Sequence, residues 1–314
     1  MSDVAPIVAE VVRSGFVESR HRGHVVGLDA DGKTVVELGD THAPVLPRSS
    51  LKPLQALAFL RAGWKPDDDE QVAVATASHS GEDRHVAVVR RILAQVGLDD
   101  SALQNTPDLP LHSPTAHALL RAGGGPDRVR QNCSGKHAAM LATCVVNGWP
   151  TDCYLDADHP VQLAARTTVE ELCDEPVAAI AVDGCGAPAF AVSLAGLARA
   201  FRELATTEVA APMRSHPDLV GGTGREVTQL MSAVPDLVAK DGAEGVFAAS
   251  LPDGRAVAVK IDDGGGRART AVLVAALVRL GVDEIALREL PPVPVLGHGQ
   301  PVGAVRALAL PPNR

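Results

Sequence analysis

Val246-Phe247-Ala248-Ala249-Ser250-Leu251-Pro252-Asp253-Gly254-Arg255-Ala256-Val257-Ala258-Val259-Lys260-Ile261 carries the clearest fold signal in the chain. Two apolar arms, Gly245 to Ser250 and Arg255 to Ile261, flank Pro252-Asp253-Gly254, and a short polar turn between such arms predicts a β-hairpin. Downstream, residues 267–280 carry the spacing of an apolar helix, and Val302 to Leu310 reads as a closing strand.

Upstream of the hairpin the pattern changes. The first 40 residues are β-rich: Val8 to Glu18, His24 to Leu28 and Thr34 to Leu38 read as strands, with a turn at Asp29-Ala30-Asp31-Gly32-Lys33. Residues 53–62 then show helical apolar spacing through Leu54, Ala56, Leu57 and Leu60, ended by Gly63. Val72 to Ala77 is a short apolar segment leading into Ser78-His79-Ser80-Gly81-Glu82. A helix follows on Val86, Val89, Ile92, Leu93 and Val96. Helices are expected at 137–147 and 161–172, and at 189–202 after the loop Asp183-Gly184-Cys185-Gly186-Ala187-Pro188. Strands, then helices, then a hairpin, a helix and a strand argue an α+β fold. An antiparallel sheet is built from both chain ends around a helical cluster. One domain over 1–314 is expected, its sheet lobe from about 1–48 and 245–314 and its helical lobe about 49–244.

Bulk composition sets the class. The 314 residues are 46% hydrophobic and 21% charged, but only 3% aromatic, so the core must be made from Ala, Val and Leu. The net charge of -9 and the lack of any Lys/Arg run argue against nucleic acid as a partner. Met1 to Pro6 has no leader pattern, and no apolar run approaches the roughly 20 residues of a membrane helix, so a cytoplasmic protein that does not bind membranes is expected. Five cysteines, an odd number without a CxxC, argue for reduced thiols.

Lysine is scarce, with six against 23 arginines. Of the two residue types, lysine is the one that can lose its proton when desolvated and so act as a base or a ligand. Lys33, Lys65 and Lys240 lie in polar turns or linkers beside acidic residues and read as solvated charges. Lys52, Lys136 and Lys260 sit in Ser-, Cys- and Gly-rich settings. Ser49 and Lys52 are three apart, which on a helix places hydroxyl and amine on one face. A neutral lysine there can take the proton of a serine nucleophile, as in the Ser-x-x-Lys motif of β-lactamases and penicillin-binding proteins. The plainer reading is Ser49 as a helix cap and Lys52 as a surface charge. Ser80 is either a cap or a second hydroxyl paired in space with Lys260. Cys133-x-x-Lys136 and Asp183-Gly184-Cys185 could together hold Zn²⁺, but their spacing matches no zinc-finger pattern and by itself favours small buried thiols. Gly221-Gly222-Thr223-Gly224-Arg225 lacks the Lys-Ser/Thr of a phosphate loop; it either places Arg225 for a substrate carboxylate or is a plain loop.

Five segments occur in order: Arg48-Ser49-Ser50-Leu51-Lys52-Pro53, Ala77-Ser78-His79-Ser80-Gly81-Glu82, Asn132-Cys133-Ser134-Gly135-Lys136-His137, Asp183-Gly184-Cys185-Gly186 and Lys260-Ile261-Asp262-Asp263-Gly264. Together they resemble the rhizobial-type L-asparaginases, over nearly the whole chain. The resemblance implies a fold similar to serine β-lactamases and glutaminases, a homodimer, and hydrolysis of L-asparagine to L-aspartate and ammonia. It implies two Ser-Lys tandems, Ser49 with Lys52 and Ser80 with Lys260. It also implies zinc held by Cys133, Lys136 and Cys185, with Asp183 orienting that site or the substrate's amino group and Arg48 and His137 lining the pocket. The rival readings are another amidohydrolase on the same scaffold, a glutaminase or a β-lactam-type enzyme, and a zinc-dependent binding protein without turnover.

Overall fold

The computed structural model of the protein describes residues 4–288, 290 and 292–310. Residues 1–3, where the reading for a leader began, lie outside the described residues. The elements run in this order: β1 (Ile7–Arg13), β2 (Phe16–Leu28), β3 (Thr34–Leu38), β4 (Pro44–Val45), a 3₁₀ turn (Arg48–Leu51), α1 (Lys52–Arg61), α2 (Asp69–Ala75), α3 (Asp83–Gln95) and α4 (Ser113–Arg121). Next come α5 (Ser134–Asn147), α6 (Pro160–Cys173), β5 (Ala179–Val182), β6 (Pro188–Ser193), α7 (Leu194–Leu204), α8 (Ala210–Ser215), α9 (Pro217–Val220) and α10 (Glu226–Ala233). The chain then returns through β7 (Val238–Asp241), β8 (Val246–Ser250), β9 (Ala256–Ile261), α11 (Gly266–Arg279), α12 (Glu284–Arg288), β10 (Pro294–Gly297) and β11 (Gln300–Ala307).

The antiparallel sheet is drawn from both chain ends. Its order is β10-β11-β1-β2-β9-β8-β7, with β3 also on β2. The opening hairpin stretch pairs as β8 and β9, Ala248 opposite Ala258, and β9 pairs with β2, Val25 opposite Val259. β2 changes partners along its length, lying against β1 up to Arg22 and against β9 from Gly23. A Cβ at Gly23 would meet the Lys260 carbonyl oxygen at 2.4 Å, so only glycine lets the strands approach there. Every residue of β8 is buried, hence its unbroken apolar run, and α7 and α11 are among the helices that touch it. A second, three-stranded sheet, β4-β6-β5, lies beside the helices. The core is mainly Ala, Val and Leu, with Phe59, Phe190, Phe201 and Phe247 buried among them.

Several expectations change. Val8 to Glu18 is two strands, because Ser14 and Gly15 are left-handed (φ 48° and 84°) and close a hairpin. Val72 to Ala77 belongs mostly to helix α2, started by Asp68, whose carboxylate accepts from the Gln71 N–H. The first residues of the helix expected at 189–202 are strand β6, six buried residues ending at Ser193, which then caps α7 by accepting from the Gly196 N–H. A short apolar run carries no period that separates strand from helix, and pairing with β5 decides it. The main sheet also reaches back to Val238, within the stretch read as helical.

Candidate active site

The turn before α1 builds the first wall. Arg48 has φ 54°, a left-handed conformation that a non-glycine residue rarely adopts. Its guanidinium fixes it there, with Nε at 2.7 Å and Nη2 at 2.6 Å from Asp183 Oδ1. The turn sends consecutive serines in different directions. Ser50 is fully buried and donates from Oγ to the Lys240 carbonyl at 3.1 Å. Ser49 is half-buried and lines a small cleft with Arg48, Lys52, Lys136 and Asp183. Lys52 is 1% exposed. Its Nζ donates to Ala77 O at 2.6 Å, to Ser78 Oγ at 3.1 Å and to Asn132 O at 3.4 Å.

Against Lys52 lies the segment 77–82, threaded between two others. Ser78 N donates to Val220 O, His79 N to Asn132 O and Ser80 N to Gly221 O. His79 is locked as a neutral imidazole: Nδ1 accepts from Gly81 N at 3.2 Å, and Nε2 donates to Ser134 Oγ at 2.9 Å. Ser134 Oγ in turn donates to Val129 O at 2.7 Å. Burial holds His79 well below the ordinary imidazole pKa, assisted by its stacked neighbour His85 and by Lys52 and Arg225.

Ser80 and Lys260, expected as a tandem, are not joined by a hydrogen bond. Ser80 Oγ donates to Gly221 O, while Lys260 Nζ donates to the carbonyls of Glu244 and Ile261, each at 2.7 Å. The hydroxyl that meets a lysine is Ser78. Lys240, read as a solvated charge, is a correction of a different kind. It lies on β7 with no exposed surface and bonds Asp241 Oδ1 and Asp241 O, each at 2.7 Å. Burial, against the attraction of Asp241, brings its amine down to about 8. Arg225 is turned to Asp241 Oδ2 at 2.9 Å. The run Val238-Ala239-Lys240-Asp241-Gly242 reads as the start of a turn, and only pairing of β7 with β8 shows the lysine to be inside.

The second wall brings Cys133, Lys136 and Cys185 together, all buried. Lys136 Nζ lies 3.5 Å from Cys185 Sγ; Cys133 Sγ donates to Asn132 Oδ1 at 3.3 Å, and Cys185 Sγ lies 3.7 Å from Asp183 Oδ2. The neighbouring Cys133 thiol is the main reason Cys185 falls below the ordinary thiol range; burial opposes the shift and the Lys136 charge assists it. Burial works against the charge of Lys136, but Cys185, Cys133 and Asp183 together raise it. His137 is fully buried beside them; its Nδ1 lies 2.8 Å from Tyr154 OH and its Nε2 has no protein partner among the described residues. No group of three or more His, Cys, Asp and Glu side chains among the described residues is arranged to hold a metal. The trio itself, two sulfurs and one amine, fits the donor preference of zinc once its protons are lost.

Two buried amines, a serine hydroxyl and an Arg-Asp pair gathered around one small cleft are groups suited to acyl transfer. Solved structures similar to the chain include a β-lactamase from Mycobacterium bovis, at 16% identity and a TM-score of 0.43 over 82% of this chain and 94% of that one. A putative β-lactamase from Bacteroides dorei is similar at 12% identity and a TM-score of 0.40, over 82% of this chain and 93% of that one. No curated protein matches the chain in sequence. The sequence model of the family described as L-asparaginase II matches residues 9–307. By that match, which spans nearly its whole length, the chain belongs to the L-asparaginase II family, hydrolases acting on amides.

Proposed function

We propose that the chain hydrolyses L-asparagine to L-aspartate and ammonia through a serine acyl-enzyme, with Lys52 as the base. The observation that supports this is the set of three acceptors around Lys52 Nζ. An ammonium fills all three. A neutral amine keeps two N–H groups for Ala77 O and Asn132 O and turns its lone pair to the Ser78 hydroxyl. Both protonation states are therefore satisfied in one geometry, which is what a proton-accepting lysine requires. Ser49 is the attacking hydroxyl: it opens on the cleft, and its Oγ has no hydrogen-bond partner among the described residues. Ser78 stands against the base at 3.1 Å.

Arg48 and Asp183 offer opposite charges at the cleft, which suits the α-carboxylate and α-ammonium of an amino acid. Zinc, held by Cys133, Lys136 and Cys185, would supply a Lewis acid that binds and orients a polar group of the substrate.

Ammonia release from L-asparagine, with L-glutamine and a chromogenic β-lactam in parallel, tests the reading. Release from L-asparagine is expected, with a loss on the order of 100-fold or more in Ser49→Ala. Full activity in either Ser49→Ala or Ser78→Ala sinks the mechanism, and turnover of glutamine or the lactam alone sinks the substrate. Elemental analysis of parent and Cys185→Ser protein reads the metal separately.

A further inference from the structure

An amide side chain that is stripped of water and left unpaired destabilises a fold, so buried asparagines and glutamines are almost always hydrogen-bonded. Five such side chains are buried among the described residues. Gln71 Oε1 accepts from Asp67 N at 2.9 Å, and Gln131 Oε1 accepts from Cys133 N at 2.9 Å. Asn105 Nδ2 donates to Arg128 O at 2.7 Å, and Gln162 Nε2 donates to Tyr154 O at 2.7 Å. Gln55 is the exception. It is 6% exposed, and its amide has no hydrogen-bond partner among the described residues. What it does have is the cleft, which it lines together with Ser49.

Its place follows from α1. Lys52 and Gln55 are three apart, on one face of the helix. The charged side chains of the cleft are already engaged: Lys52 with Ala77 O and Ser78 Oγ, Lys136 with Cys185, Arg48 with Asp183. The start of β6 adds Pro188, Ala189 and Phe190, which bring no polar side chain. The hydrogen-bonding capacity left unused in the cleft is therefore that of the Ser49 hydroxyl and the Gln55 carboxamide.

We propose that Gln55 is a specificity-determining residue, its carboxamide pairing edge to edge with the side-chain carboxamide of the substrate. The inference rests on the amidohydrolase reading and names the group that the site recognises. In such a pair the Gln55 Nε2–H donates to the substrate's carbonyl oxygen, and Gln55 Oε1 accepts from its NH₂. Both bonds lie in the plane of the substrate amide. A hydroxyl attacks a carbonyl carbon from above that plane, so the pair leaves the reacting face open to Ser49. A carboxylate fits the same edge badly. Whichever way the Gln55 amide turns, one carboxylate oxygen accepts from Nε2 and the other is set against Oε1. Asparagine is thereby favoured over its product aspartate, and the amide that the fold leaves unpaired is paired by the substrate.

Gln55→Met keeps the length of the side chain and removes both of its hydrogen-bonding groups. Steady-state ammonia release, with L-aspartate as a competing inhibitor, reads KM for asparagine and Ki for aspartate in the parent and the variant. KM is expected to rise about tenfold or more, while Ki stays within about threefold of the parent. Removing an unpaired amide takes nothing from the fold, so the urea midpoint of Gln55→Met is expected at or above the parent's. An unchanged KM, or a Ki that rises with it, overturns the proposal. So does a variant that unfolds at lower urea than the parent, since Gln55 then serves the fold. A parent that releases ammonia from neither asparagine nor glutamine overturns the amidohydrolase reading, and this inference falls with it. A parent that releases ammonia, with the two constants of the variant moving together, overturns the inference alone.

Discussion

Lys52 Nζ meets Ser78 Oγ at 3.1 Å, across 26 positions of sequence, and not the Ser80 hydroxyl two residues on. The geometry ranks the two serines. Ser78→Ala removes the hydroxyl against the base and is expected to lower kcat/KM for asparagine by about 100-fold or more. Ser80→Ala removes only a bond to the Gly221 carbonyl and is expected to stay within a few-fold of the parent. Lys52→Arg is not expected to restore what Lys52→Met loses, because guanidinium cannot take a proton. Initial rates of ammonia release read all four variants, and the reverse ranking of the serines rules the arrangement out.

What was legible in the sequence follows from range. The β8-β9 hairpin, α1, α3, α5, α6 and α11 are each written in a local period or turn, and the antiparallel sheet follows from their order. Strand β6 was not legible, since Pro188–Ser193 is five apolar residues and a serine, all buried and without a period, and its partner β5 decides its conformation. Among site residues, the Cys133, Lys136, Cys185 and Asp183 grouping came from the order of motifs, and the structure brings the four together. Lys240 was missed for the opposite reason. Its neighbours Asp241 and Gly242 look like a turn, and its burial depends on the pairing of β7 with β8. Ser78 against Ser80 depends on how an extended segment is rotated, which no spacing encodes.

Arg48 joins strain to recognition. Its left-handed backbone is held by the Asp183 carboxylate, and the same pair lines the cleft. Arg48→Ala keeps the unfavourable backbone without the side chain that fixes it. It is expected to raise KM for asparagine about tenfold or more, and to cost about 1 kcal/mol in stability. Arg48→Gly should recover that stability without recovering KM, because glycine adopts φ 54° freely. Steady-state kinetics and urea unfolding separate the two effects. Equal stability of the alanine and glycine variants argues against a strained turn.

Gly135, within the Cys133-to-Lys136 turn, is a packing residue. A Cβ there would meet Val74 O at 2.2 Å and Val74 Cγ1 at 2.5 Å, so α5 lies directly on α2. Alanine is the better helix former by about 1 kcal/mol. Even so, Gly135→Ala is expected to destabilise by about 1–3 kcal/mol, because the backbone of α2 must move. Chemical denaturation reads the difference. A stabilised Gly135→Ala variant shows that the two helices are not in contact at this point.

His85 predicts how the protein fails in acid. Its Nε2 donates to Asp218 O at 3.0 Å, and its Nδ1 accepts from the Glu82 N–H at 3.2 Å, so only the neutral ring with its proton on Nε2 satisfies both. Burial lowers its pKa to about 4, helped by Arg84 and opposed by the Asp218 carbonyl and the carboxylates of Glu82 and Asp218. In the unfolded chain the same ring titrates near 6.5. Between these values the unfolded state binds more protons than the native state, so stability rises with pH through that window and is lost as pH falls from 6.5 towards 4. The loss from this one residue is on the order of 3 kcal/mol over the window. Glu82 acts later. Burial alone would raise its carboxyl, but Thr223 and Arg84 bring it to about 2, so its contribution is present above its ordinary 4.5 and disappears only as pH falls towards 2. Urea unfolding of the parent at intervals from pH 7 to pH 4 is therefore expected to show a steep decline before the carboxylates titrate. His85→Gln, which cannot titrate, should be less stable at pH 7 and should flatten the decline. A slope in His85→Gln as steep as the parent's assigns the acid sensitivity elsewhere, His79 being the next buried imidazole to test.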